Sequence, residues 1–165
     1  MGSRLLIIRG NSGSGKTTIA KRLQRELGSR TMLVSHDVLR REILRVKDEA
    51  GNPSIQLVYD TVMYGSAICY DVILEGILPT KKYGEMLHQL VQDFNGRVFA
   101  YYFDIPFEET LKRHMSTPTS NEYNEKEMRQ WWNDKDYLTA QQEKILTSNM
   151  SEAQIIQMIL NDLGA

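Results

Sequence analysis

Residues 5–17 read LLIIRGNSGSGKT, and this stretch decides the fold. Leu5 to Ile8 form a short continuous apolar run, followed at Gly10 by glycine, as expected of a strand buried on both faces. Gly10 to Thr17 then fits G-x-x-x-x-G-K-[ST] at every fixed position. In the following residues Ile19, Leu23 and Leu27 recur at helical spacing, and Gly28 stands where a helix would stop. Strand, glycine loop and helix are the context the motif needs. Its glycines let several backbone N–H groups turn toward one anion, and the helix start adds its positive end. Gly10, Asn11, Ser12, Gly13, Ser14, Gly15, Lys16, Thr17 and Thr18 are therefore expected to bind a nucleotide triphosphate. Lys16 reaches its outer phosphates, and the Thr17 hydroxyl is the expected Mg²⁺ ligand.

Two rival glycine motifs fail. A dinucleotide loop, G-x-G-x-x-G, would need a third glycine where Thr18 stands, and Lys16 would have no role. A GTP switch needs N-K-x-D, whereas Asn133-Asp134-Lys135-Asp136 has the wrong order.

Outward from the loop, strands alternate with helices. TMLVSHD, DVILEG, RVFAYYFD and EKILT read as four more strands. Helical periods run through Val38, Ile43 and Val46, through SIQLVYDTVMYGSAICY after Pro53 with Gly65 as an interruption, and through Leu87, Leu90, Val91 and Phe94. PFEETLKRHM has acids in its first turn and bases near its end, the order the helix dipole favours. KDEAGNP is a polar turn, MSTPTSNEYN a loop and EKEMRQWWND a short helix. SEAQIIQMILNDLG opens on a capping box, Ser151 with Gln154. The expectation is one α/β domain over residues 1–165: a three-layer P-loop NTPase fold with a parallel five-stranded sheet, helices on both faces and a helical lid at about 115–139.

The chain has 165 residues, enough for one core. Its net charge of −1 argues against a surface wholly given to nucleic acid, though not against a local basic cleft. The single cysteine, Cys69, excludes an internal disulfide and is expected to be a small buried hydrophobe. MGSRLLIIRG lacks a signal-peptide pattern, and no apolar run approaches the ~20 residues of a membrane span, so a cytoplasmic protein is expected.

Asp37 closes the second strand in LVSHDVLRRE. As a bare helix cap it would be ordinary. In an open parallel sheet, however, ligands collect beyond the carboxyl ends of the strands, and Asp37 stands at such an end, one strand from the phosphate loop. A carboxylate there can draw the proton from an acceptor hydroxyl during phosphoryl transfer. Arg40, three residues on, can hold an anionic or polar part of the acceptor, while Arg41 is expected to point elsewhere.

The combination GNSGSGKTT, SHDVLRRE, YDVILEG and YYFDIPFEETLKRH resembles the small P-loop kinases, across nearly the whole chain. These include the zeta-toxin and chloramphenicol phosphotransferase group and the kinase modules of polynucleotide end-healing enzymes. The resemblance implies an ATP- and Mg²⁺-dependent kinase acting on a hydroxyl of a small molecule. It makes Asp37 the general base, Arg40 an acceptor contact, Arg113 a lid-base arginine that neutralises the transferring phosphate, and Arg129 a second lid arginine at the nucleotide. The third strand ends in LEG rather than in a Walker B aspartate, so Glu75 is what a Mg²⁺-bound water or the substrate would meet. Two alternatives stay open: a polynucleotide 5′-hydroxyl kinase, and a nucleotide-binding ATPase or regulator that transfers nothing.

Weaker features complete the reading. Trp131 and Trp132 project in different directions, one to pack and the other to cover the acceptor. Tyr59, Met63 and Tyr64 lie on a helix expected to border the acceptor pocket. His36, His88 and His114 lack metal-ligand spacing, and Tyr101 and Tyr102 are expected in the strand core.

Overall fold

A computed structural model of the chain describes residues 2–68, 70–139 and 141–165. The elements run β1 (Leu5–Gly10), α1 (Lys16–Leu27), β2 (Thr31–Ser35), a π-helix (Val38–Leu44), α2 (Ser54–Ala67), β3 (Asp71–Gly76), α3 (Thr80–Asp93), β4 (Val98–Asp104), α4 (Phe107–Met115), a 3₁₀ turn (Pro118–Asn121), α5 (Glu125–Trp131), β5 (Glu143–Thr147) and α6 (Glu152–Leu163). The five strands pair in parallel in the order β2-β3-β1-β4-β5. Cys69 lies outside the described residues, so its expected burial has no structural counterpart.

Strand β1 shows why the sheet has three layers. Every residue of it is buried. Alternate side chains point to opposite faces, so Leu5 and Ile7 join one core with Val58 and Val62 of α2 and Leu87 and Leu90 of α3. Leu6 and Ile8 join the other, with Ile19 and Leu23 of α1 and Ile155 and Ile159 of α6. Gly65 does not interrupt α2. A Cβ there would fall 2.6 Å from Val72 Cγ2, so its absence lets the helix lie close on the sheet.

Two local expectations change. The segment after Asp37 is a π-helix with no buried residue, and Val38 and Ile43 are exposed. Arg45 turns into the left-handed region (φ 56°), and the Arg40 carbonyl accepts from the N–H groups of both Arg45 and Val46, which widens the last turn. The apolar spacing through Val38, Ile43 and Val46 thus has no core to face. The stretch read as a loop after Met115 contains the short 3₁₀ turn. Helix α5 then opens on a reciprocal capping box between Asn124 and Glu127. The box between Ser151 and Gln154 forms as expected. No helix among the described residues is long and apolar enough to cross a membrane.

Candidate active site

The glycine loop joins β1 to α1 at the carboxyl edge of the sheet, where β1, central in the strand order, delivers it between β3 and β4. Gly13 and Gly15 hold φ of 76° and 101°, a region L side chains rarely adopt. A Cβ on Gly13 would lie 2.6 Å from the Thr110 carbonyl oxygen of α4, so this position also needs the space. Lys16 is buried, and its Nζ donates to the Asn11 carbonyl at 2.8 Å, bracing the loop across its width. Burial lowers the Lys16 pKa, while the carboxylates of Glu75 and Asp37 act in the opposite direction. The ammonium therefore lies within electrostatic reach of both acids.

These residues fit a polyphosphate. The buried Ser14 Oγ has no hydrogen-bond partner among the described residues. Gly15 stands at the N-cap of α1 and has no side chain to cap it, which suits its first N–H groups and positive end to an anion. Arg113 Nη1 donates to the Ser14 carbonyl at 2.9 Å, and Glu109 holds the same guanidinium through Nε at 3.2 Å. A cation is thus anchored on the rim of the cradle. Thr17 is exposed and its hydroxyl has no partner among the described residues, so it is open to a cation beside the phosphates. Thr18 is exposed one residue further along α1.

Asn11 and Ser12 have a second role. Asn11 Nδ2 donates to the Asn133 carbonyl at 2.6 Å, and the Asn133 N–H donates back to Asn11 Oδ1 at 2.8 Å. The Ser12 and Tyr123 hydroxyls share a hydrogen bond of 2.7 Å. The two side chains dock the segment expected to be the lid, which leaves their backbone to meet an anion. Tyr123 is itself stacked on His114 at 4.2 Å between centroids.

Asp37 is exposed and makes no side-chain cap to the π-helix. It shares a cleft of about 650 Å³ with Ser12, Arg40 and Arg41. Its carboxylate meets Arg40 at 3.5 Å and Arg41 at 3.7 Å, both loose pairings. Arg41 does not point away from the site, contrary to expectation. Residues three and four apart share a helix face, and its guanidinium also reaches Glu122 of the lid at 3.6 Å. Arg40 donates to the Val46 carbonyl at 3.0 Å, but its Nε is buried without a partner among the described residues.

The remaining candidates divide. Glu75 is buried at the end of β3, where it accepts from Ser35 Oγ at 2.6 Å and faces the Lys16 charge. Arg129 is exposed, pairs with Glu125 at 2.8 Å and lies 4.1 Å from the Phe107 ring centroid. No contact among the described residues joins it to the loop, so the structure does not bring it to the nucleotide cradle as expected. Its own helix supplies a nearer partner. Trp132 packs edge-on against Phe107 at 5.2 Å, Trp131 is exposed beside Tyr123, and both indoles line the cleft. Helix α2 does not border it. Tyr59 is held by Asp93 at 2.7 Å, Met63 packs against the core and Tyr64 is exposed. The wall expected of α2 comes instead from the preceding segment, with Lys47, Asp48 and Glu49.

His36 is buried behind the cleft, bonded through Nε2 to the Tyr83 hydroxyl at 2.8 Å. Burial drives its pKa down to about 4, so it is neutral at pH 7. Tyr83 in turn donates to Asp48 at 2.5 Å; burial, then this bond, push its pKa up to about 12. Burial works to raise the Asp48 pKa, yet the hydrogen bonds from Tyr83 and Lys82 hold it below the usual range. Tyr101 and Tyr102 are buried in β4, as expected.

Sequence reasoning missed Arg9. It is wholly buried directly before the glycine loop and donates to the Leu78 carbonyl, Asp136 and Glu143 at 2.8–3.2 Å. Asp136 also accepts from the Thr80 N–H at 2.9 Å. One guanidinium thus ties the loop's strand to the start of α3, the end of the lid and β5. The only signal was an arginine inside an otherwise apolar strand. The cleft lysines of LPTKKYG and RVKDEAG were equally visible as residues, but nothing local aims them.

A family model described as "AAA domain" matches residues 5–139. No curated protein matches the chain. Among solved structures, the APS kinase of Mycobacterium tuberculosis, solved with AMPPNP and APS, superposes with a TM-score of 0.74 at 18% identity, over 99% of each chain. A gluconokinase from Sinorhizobium meliloti gives 0.66 at 16%, over 99% of this chain and 91% of its own. The tunicamycin resistance protein of Deinococcus radiodurans gives 0.67 at 18%, over 98% and 95%. At such identities the likeness speaks for the fold, and the matched family for kinship: the chain belongs to the AAA domain family and has the P-loop kinase fold.

Proposed function

We propose that the chain is an ATP- and Mg²⁺-dependent kinase that transfers the γ-phosphate to a hydroxyl of a small molecule. The observation that carries this reading is the shared cleft: Asp37 and Arg40 line it together with Ser12 of the phosphate loop, and Lys16 feels the charges of Asp37 and Glu75. Lys16, the loop N–H groups and Arg113 hold the β- and γ-phosphates. Asp37 takes the acceptor proton as the hydroxyl oxygen bonds to the γ-phosphorus. The bond from that phosphorus to the β,γ-bridging oxygen breaks, and ADP leaves with the electron pair. The bound metal would neutralise phosphate charge; the Thr17 hydroxyl would hold it, with Glu75 meeting it directly or through water. Arg113 offsets charge on the group in transit. Arg129 reaches the nucleotide only if α5 shifts.

The likeness to proteins named APS kinase and gluconokinase supports a small acceptor over a polynucleotide, as does the net charge of −1. The D-x-x-R spacing of Asp37 and Arg40 supports the zeta-toxin, chloramphenicol phosphotransferase and polynucleotide kinase branch. A cytoplasmic setting, where ATP is supplied, accompanies this reading. The test is a screen of hydroxyl compounds for acceptor-dependent ADP release, with mass spectrometry of the product. A phosphorylated acceptor is expected. ATP loss that no acceptor accelerates and no product accompanies would reduce the chain to a nucleotide-binding ATPase.

A further inference from the structure

Electrostatics of the cleft go beyond a hydroxyl. Arg40, Arg41, Lys47, Lys81 and Lys82 line it. Among the described residues Asp37, Asp48 and Glu49 oppose them in the lining and Glu122 pairs with Arg41, so five cations meet four acids and the cleft keeps +1 in a chain of net −1. The pairings do not exhaust the cations. Lys82 is taken by Asp48 at 3.1 Å, whereas Lys47 and Lys81 have no ion pair among the described residues. Arg40 lines the cleft too, and its Nε is buried without a hydrogen-bond partner among the described residues.

The position of the lysines is informative. Lys81 and Lys82 stand in the first turn of α3, which carries no acid there. Cations at a helix N-terminus oppose the dipole and cost stability. In α4 of the same chain the order is the favourable one, with Glu108 and Glu109 first and Lys112 and Arg113 last. Asp136 accepts from the Thr80 N–H at this helix start and Asp48 holds Lys82, which leaves Lys81, at the mouth of the cleft, as the cation of the pair without an ion pair among the described residues.

We infer that the acceptor is a small hydroxyl compound carrying its own anionic group, a carboxylate or phosphate. That group is held by Arg40, Lys47 and Lys81 while the hydroxyl is presented to Asp37. This rests on the kinase reading above. The separation of Asp37 from Arg40, 3.5 Å between charged atoms, keeps anion and hydroxyl within one small molecule. Trp131 and Trp132 cover it from the lid side.

Both tryptophans of the chain line this cleft, so intrinsic fluorescence reports on its occupancy. The first arm compares matched acceptors: glycerol with glycerate, glucose with gluconate and glucose 6-phosphate, adenosine with 3′-AMP. The anionic member is expected to show a KM lower by about tenfold or more, as one or two charge-assisted contacts imply. Lys47→Gln/Lys81→Gln, which leaves Arg40 in place, should raise KM for the anionic members several-fold and narrow that preference; an unchanged preference would overturn the lysines' part in the site. Equal or better use of neutral members would overturn the inference and leave the kinase reading intact. The second arm needs no turnover: fluorescence is titrated with 3-phosphoglycerate and 3′-AMP in the presence of AMPPNP. Saturable quenching that the double variant weakens several-fold supports the anion site even if no acceptor is phosphorylated, an outcome that would sink the kinase reading alone. No quenching by either probe overturns the site. A 5′-hydroxyl oligonucleotide should bind no better than 3′-AMP; a clear gain with length overturns the small-molecule form.

Discussion

The two walls of the cleft are built on different principles. The phosphate wall is backbone: Gly13 and Gly15 in left-handed conformations, uncapped N–H groups of α1, and a lysine and an arginine that both bond loop carbonyls. The wall proposed for the acceptor is side chain: Asp37 with arginines at 3.5 and 3.7 Å, two lysines without ion pairs among the described residues, and a buried arginine Nε without a hydrogen-bond partner among them. A triphosphate presents the same oxygens every time, so a rigid backbone mould suits it. The acceptor proposed for this chain would be recognised by the side chains that line the cleft, and Asp37 is only loosely paired there. On the proposed kinase reading, nucleotide binding and acceptor choice would be separable in this chain.

Asp37→Asn tests that separation most severely. Turnover should fall by about 10³-fold, the worth of a general base, while nucleotide affinity measured by calorimetry changes little. Near-normal turnover would remove Asp37 from the chemistry. Comparable loss of nucleotide affinity would mean that the walls are not independent.

Arg9→Met should act on both walls through the frame. It leaves Glu143, whose side chain is 1% exposed, buried without its cation. The expected cost is about 3–5 kcal/mol in urea unfolding. A cost below ~1 kcal/mol would show that Arg9 does not brace the lid end and α3.

His36 sharpens the contrast by pH. Its folded pKa of about 4 lies below the unfolded value near 6.5, so the unfolded chain binds more protons between them. The stability contribution is full above pH 6.5 and is lost as pH falls toward 4, on the order of 3 kcal/mol in all. His36→Gln should flatten that slope in thermal melts across pH 4–7. An unchanged slope would assign it to other groups.

Tyr123→Phe is the mildest change. It removes the hydroxyl bond to Ser12 but keeps the stack on His114. KM for ATP should rise by about threefold, one neutral hydrogen bond's worth, with faster hydrogen exchange in residues 115–139. If acceptor KM moves instead, the lid serves the other wall.

Much of this was legible in the residues because the controlling physics is local. Gly10 to Thr17 could be read as an anion cradle because each glycine answers a backbone need of its own. β1 read as a strand buried on both faces because Leu5 to Ile8 are all apolar. Asp37 and Arg40 stood out as candidates from a strand end and a three-residue spacing, and the structure places both in one cleft. What tertiary structure alone decided depends on groups far apart in the chain. The lid claims the side chains of Asn11 and Ser12 from more than 100 residues away. Arg9 meets its acids across 127 and 134 residues. Arg129 is held on α5 by Glu125 and Phe107. Lys47 and Lys81 become one charged wall only because β2 and β3 lie side by side and deliver the segments after them to the same edge. Sequence spacing states what a residue can do; the partner that makes it do so is chosen by the packing of the sheet.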